Sequence, residues 1–96
     1  MVRHIVCIKL IDATAATMSE TKRILMSMVG KVPTALEVNV LVDALRSERS
    51  YDVMLDVVVE NWAKLDEYQA DPYHCNIVKK YLQGVMQNAI TIDSEI

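Results

Sequence analysis

With 96 residues, just over half of them hydrophobic and about a quarter charged, the chain suits one globular domain spanning 1–96 and excludes disorder. A net charge of −3 without any Lys/Arg run excludes nucleic acid and acidic membrane surfaces as natural partners. No apolar run approaches the ~20 residues that span a bilayer, and no signal-peptide pattern opens the chain, so a soluble, cytoplasmic protein is expected.

Residues 2–11 alternate in the manner of a strand, with His4, Val6, Ile8 and Leu10 on one face and Arg3, Ile5, Cys7 and Lys9 on the other. Thr17-Met18-Ser19-Glu20 fits a capping box, so a first helix is predicted from Thr17 to about Lys31. Ile24, Leu25, Met28, Val29 and Val32 form its apolar stripe, and Gly30 and Pro33 are its stop signals. Residues 36–43 read as a second strand, with Leu36, Val38, Val40 and Val42 on one face. Residues 51–60 read as a third, with Tyr51, Val53, Leu55, Val57 and Val59 together.

Asn61 is a suitable N-cap for a short helix carrying Trp62, Leu65 and Tyr68. Pro72 breaks that helix, and Asp71-Pro72 starts another, with Asp as N-cap and Pro at the first helical position. This last helix carries His74, Val78 and Tyr81 along one line and is predicted to end at Gly84. Residues 85–93 read as a fourth strand with Met86, Ile90 and Ile92 in alternation, and the last three residues as a tail or an exchanged edge.

The order β-α-β-β-α-β, with the second helix broken at Asp71-Pro72, predicts an α+β, ferredoxin-like fold: a four-stranded antiparallel sheet with its helices on one side. The opposite face mixes Arg3, Lys9, Glu37, Asp43, Asp52 and Asp56 with Ile5, Leu41, Met54 and Val58. A half-apolar face is costly in water, at ~25 cal/mol per Å², and favours two sheets packed face to face as a homodimer. Cys7 and Cys75 match no metal or redox spacing and read as reduced, buried small hydrophobes.

The chemistry-bearing side chains concentrate in Leu65–His74, which holds one of two prolines, one of two histidines and two of four tyrosines. His4 is the outlier on the apolar face of the first strand. If the helices pack as their stripes require, His4, Tyr68 and His74 converge beneath the helix break. Two imidazoles and a phenol in an apolar setting suit proton transfer at an activated carbon: imidazole works as acid or base, and a phenol can hold an oxygen as enolate charge develops. The plainer alternative is that each His is simply hydrogen-bonded or exposed. Asp52 and Asp56 are four apart on a strand, roughly 13 Å, too far to share one ion, so a solvated or ion-paired role is expected. His74 and Cys75 lack further ligands for zinc. No phosphate loop, nucleophile elbow or HExxH occurs. No metal and no cofactor are expected.

Arg3-His4-Ile5-Val6-Cys7-Ile8-Lys9-Leu10 resembles the opening strand of the stress-responsive A/B barrel (Dabb) domain family. Gly30-Lys31-Val32-Pro33, Ser47-Glu48-Arg49-Ser50-Tyr51-Asp52-Val53 and Tyr68-Gln69-Ala70-Asp71-Pro72-Tyr73-His74 fall, in order, where that family has similar segments. The resemblance implies a homodimer whose sheets form an α/β barrel. It also implies kinship to a plant polyketide cyclase, which closes a poly-β-keto chain by intramolecular aldol condensation without metal or organic cofactor. By that resemblance the catalytic pair falls on Tyr68 and His74, and a substrate-pocket histidine on His4. The family commonly has His-Pro-x-His at the helix break; here Asp71 replaces the first His.

The resulting expectation is a small-molecule pocket, of cyclase or lyase type, taking a small apolar carbonyl compound. His74 would be its base, Tyr68 its oxyanion donor and His4 its support. A non-enzymatic, stress-associated dimer and a cofactor-free monooxygenase-like protein are the alternatives.

Overall fold

Alternating apolar side chains build β1 (Val2–Leu10) in the computed structural model, which describes residues 1–96. It is followed by α1 (Ala15–Met26), β2 (Glu37–Val42), β3 (Val53–Val59) and α2 (Trp62–Ala70). A π-helical stretch (His74–Lys79) then leads into α3 (Lys80–Val85) and β4 (Met86–Glu95). The sheet order is β2-β3-β1-β4, with every neighbouring pair antiparallel. This is the ferredoxin-like arrangement, with the two ends of the chain forming its central and edge strands.

The core lies between the sheet and the helices. Val2, Ile8 and Leu10 from β1, Val40 from β2 and Val53, Leu55, Val57 and Val59 from β3 meet Met18 and Leu25 of α1, Leu65 and Tyr68 of α2, and Val78. The predicted inward faces of β1 and β3 are therefore the buried ones. Around β2 the pattern fails: Leu36 just before the strand and Val42 at its end are exposed, and Val58 of β3, placed outward by alternation, is buried.

Several boundaries differ from the sequence reading. The N-cap of α1 is Thr14, three residues before the expected Thr17: its hydroxyl accepts the Thr17 amide at 3.1 Å. Glu20 does not reach back to a cap; Arg23 holds it in an ion pair. The helix stops at Met26 rather than Lys31. Ser27 caps it, a series of turns follows, and Gly30 sits in the left-handed region at φ +78°, which a side chain would strain. Met28 and Val32 are buried from these turns, whereas Val29 points to solvent.

At the other end of the chain the helix runs through Gly84 to Val85 and passes straight into β4. Leu10 pairs with Met86 and Lys9 with Asn88, leaving Gln87 as an unpaired bulge residue. A bulge exchanges the faces on either side of it. Met86 packs against the core while Ile90 and Ile92 face outward, so the three do not share a face as their spacing suggested. Ser94 and Glu95 pair with Arg3 and Val2, and Ile96 donates its amide to the Met1 carbonyl, so the last residues are strand rather than tail.

Of the two roles expected for Asp52 and Asp56, solvated or ion-paired, the structure shows the ion-paired one, and Asp52 is buried. It is 1 % exposed, and its carboxylate accepts the Leu10 amide at 2.7 Å and the Arg46 guanidinium at 2.9 Å. Burial works to raise its pKa, but these partners outweigh that and hold it below the ordinary carboxylate value. The result is a clasp between the β2–β3 connection and the end of β1. Asp56 pairs with Arg3 at 3.1 Å. Both cysteines are free, and half-buried rather than buried. No helix is long and apolar enough to cross a membrane.

Candidate functional site

His4 enters the core from β1, Tyr68 from the last turn of α2 and His74 from the first position of the π-helical stretch. The Tyr68 and His74 rings are stacked at a tilt with centroids 4.3 Å apart, and the His4 ring meets Tyr68 edge-on at 5.7 Å. Tyr68 is wholly buried, and the two imidazoles are each 6 % exposed. The structure thus brings together the three side chains singled out in the sequence.

Local chemistry explains each position. The Asp71 carboxylate accepts the amides of Tyr73 and His74 at 2.8 and 3.1 Å, and the Asp71 carbonyl accepts that of Cys75. An aspartate followed by proline therefore ends one helix, opens the next and fixes the His74 backbone. Beyond His74 the hydrogen bonds widen to the π pattern, a device often found where a side chain must be re-aimed. The Tyr73 hydroxyl donates to Ser27 Oγ at 2.7 Å and ties this start to the turn after α1.

Two contacts were not foreseen. Asp93 Oδ1 lies 2.5 Å from His4 Nδ1, directly across the β1–β4 pairing. The carboxylate orients the ring and leaves Nε2 as its other functional atom. Only the bulge at Gln87 brings Asp93 to the same face as His4, so strand alternation could not have found it. The Tyr68 hydroxyl donates to Met28 Sδ at 3.6 Å. A thioether is a weak acceptor, and nothing in a helical stripe announces that Met28 sits on a turn.

Burial pushes the His74 pKa down to about 4, and the nearby Lys79 charge adds to this; a hydrogen bond to the Gln69 backbone opposes it. The ring is neutral near pH 7. Its Nδ1 is buried and has no hydrogen-bond partner. In the tautomer that carries its proton on Nε2, Nδ1 presents a free lone pair. Burial, with the Asp71 charge, raises the Tyr68 phenol well above its ordinary value. Tyr68 is therefore a firm proton holder, suited to donate a hydrogen bond and unsuited to act as a base. An imidazole lone pair and a phenol O–H side by side can accept a proton from carbon while holding the oxygen that gains the electrons.

No three His, Cys, Asp or Glu side chains converge in a way that could hold a metal ion. Two cavities lie away from the trio. One of about 510 Å³ lies between the start of α1 and the β2–β3 connection. One of about 380 Å³, lined by Cys7, Leu41 and Met54 among others, opens on the outer sheet face.

Comparison with known proteins gives a consistent result. The family model described as Stress Responsive A/B Barrel Domain matches residues 2–96. No curated protein matches. Among solved structures, a dimeric protein of unknown function with a ferredoxin-like fold from Bacteroides fragilis is 20% identical. It superposes with a TM-score of 0.83 over 99% of this chain and 95% of that one. A Dabb family protein with a ferredoxin-like fold from Mesorhizobium loti is 17% identical, with a TM-score of 0.76 over 99% and 95%. An antibiotic biosynthesis monooxygenase is 14% identical, with a TM-score of 0.72 over 100% and 98%. At these identities the structural likeness concerns the fold alone.

Proposed function

The chain belongs to the stress responsive A/B barrel domain family, and on that premise we propose that it forms a homodimer whose protomers each bind a small enolisable carbonyl compound and move a proton at the carbon beside the carbonyl. The observation that carries this reading is the free, buried His74 Nδ1 stacked against the Tyr68 phenol. In the proposed step, His74 Nδ1 takes the α-proton. The electron pair of the broken C–H bond moves onto the carbonyl oxygen, and the Tyr68 O–H stabilises the enolate. The enolate then recovers a proton or attacks a second carbonyl in the same molecule, as in a cyclase or lyase-type reaction. His4, held by Asp93, supports the phenol and the substrate from the sheet side. No metal or organic cofactor takes part in this step.

The His74 basicity narrows the substrate. A base whose conjugate acid has a pKa of about 4 is weak, and transfer to it is least costly from a carbon flanked by two carbonyls. The reading therefore favours β-dicarbonyl compounds over simple ketones. Replacing His74 by Gln or Tyr68 by Phe should preserve the fold and remove binding of small β-diketones, followed as ligand-induced NMR shifts. Equal shifts in wild type and both variants would overturn the assignment.

One observation favours a second reading, in which the trio is a structural polar core of a non-enzymatic dimer: Tyr68 and both imidazoles are nearly closed off from solvent. In that case His74→Gln should cost ~1–3 kcal/mol by disturbing the packing and polar contacts of a buried group, and β-diketones should produce no shifts in any variant. The unsatisfied Nδ1 argues for the first reading, since a purely structural histidine gains from pairing both nitrogens. Likeness to the monooxygenase rests on the fold alone and adds no redox step.

A further inference from the structure

The proposed site is closed, and what closes it can be named. Tyr68 offers a strong phenolic donor, yet its hydroxyl is spent on the Met28 thioether at 3.6 Å, among the weakest acceptors a protein contains. Beside it, His74 Nδ1 is spent on nothing. Two adjacent buried groups are therefore under-satisfied in complementary senses. One would gain from a better acceptor, the other from any donor. A ligand carrying a carbonyl oxygen next to an enol O–H or an acidic C–H satisfies both at once.

Met28 is built to yield. Its side chain is fully buried and unbranched, the kind that changes rotamer most readily in a core. It is not held in a helix. It sits in the turns after α1, where its backbone is anchored by the Met28 amide to Leu25 and by its carbonyl to the amides of Lys31 and Val32. Immediately after it come exposed Val29 and Gly30, with its left-handed backbone. Swinging the thioether away leaves these backbone bonds intact and frees the Tyr68 hydroxyl of its only side-chain partner.

We propose that Met28 is a displaceable plug over the Tyr68–His74 pair, and that its displacement by a compact β-dicarbonyl compound sets both access to the site and the size of ligand accepted. This inference rests on the function proposed above. The closed form is the resting state, and the pocket is one that the ligand makes dominant.

The test uses acetylacetone as probe and full-length protein with isotope-labelled methionine methyl groups. The chain has six methionines, and Met28→Leu identifies the Met28 signal. That signal should move on adding acetylacetone while those of exposed Met1 and Met26 stay. Met28→Ala should bind acetylacetone about tenfold more tightly, equivalent to ~1.4 kcal/mol, and should admit dibenzoylmethane, which wild type excludes. Adding Tyr68→Phe should cancel the gain. Tyr68-dependent binding with an unmoved Met28 signal, or with equal affinity in Met28→Ala, would overturn the plug while leaving the proposed function standing. Absence of binding in wild type and Met28→Ala alike would overturn both. Should Met28→Ala fail to fold, the wild-type methyl signal still decides the matter.

Discussion

His74 links the chemistry of the site to the stability of the domain. Its folded pKa of about 4 lies below the ordinary value of 6.5. Between these pH values the unfolded chain binds the proton and the folded chain does not. The stability associated with the neutral ring is therefore fully present above about pH 6.5 and is lost as the pH falls toward about 4, by at most about 1.4 kcal/mol per pH unit. Asp52, whose pKa is lowered from 3.8, contributes in a lower window, so the two can be separated. Urea unfolding at about pH 7 and about pH 5 should show this loss in wild type and a flatter profile in His74→Gln. Identical slopes would mean that the His74 pKa is not depressed. His4, Tyr68 and His74 were legible because each lies on a face that periodicity predicts. Asp93 and Met28 were not, since one depends on a bulge and the other on a turn.

Between α2 and the π-helical stretch, Asp71 has a structural task that can be named. Its carboxylate caps the helix that presents His74. Asp71→Ala should lower stability by ~0.5–2 kcal/mol and weaken ligand binding without touching Tyr68 or His74 directly. Asp71→Asn, still a good cap, should restore most of both losses. An Asp71→Ala protein as stable as wild type would remove this account of the helix start. Caps written as Asn61 and Asp71 were readable because side chain and helix start are adjacent in sequence. The start of α1 was misread because two threonines three residues apart both suit an N-cap, and only the structure shows Thr14 bonding the Thr17 amide. The π pattern depends on tertiary packing of its side chains and leaves no mark in spacing.

The outer sheet face accounts for how protomers are expected to meet. Leu41 lies opposite Met54, Met54 opposite Cys7, Cys7 opposite Ile90, and Ile5 opposite Ile92. This gives a continuous apolar band across all four strands, with Ile92 64 % and Leu41 60 % exposed. A band of this kind favours a second copy over water. Ile92→Lys should convert a dimer to a folded monomer in light scattering, with circular dichroism unchanged. A dimer that survives the substitution would place the interface elsewhere. The band was visible in the sequence for β1 to β3. Its continuation through Ile90 and Ile92 required the bulge.

The most direct measurement is the rate of deuterium exchange at the carbon between the two carbonyls of an α-alkyl-β-diketone, followed by proton NMR with wild type, His74→Gln and Tyr68→Phe. General-base catalysis of this kind contributes about 10²–10⁴-fold. Wild type should accelerate exchange over buffer by a factor in that range, and both folded variants should lose most of it. Exchange no faster than in buffer, or equally fast in all three proteins, would contradict a proton-transferring role for His74 and Tyr68.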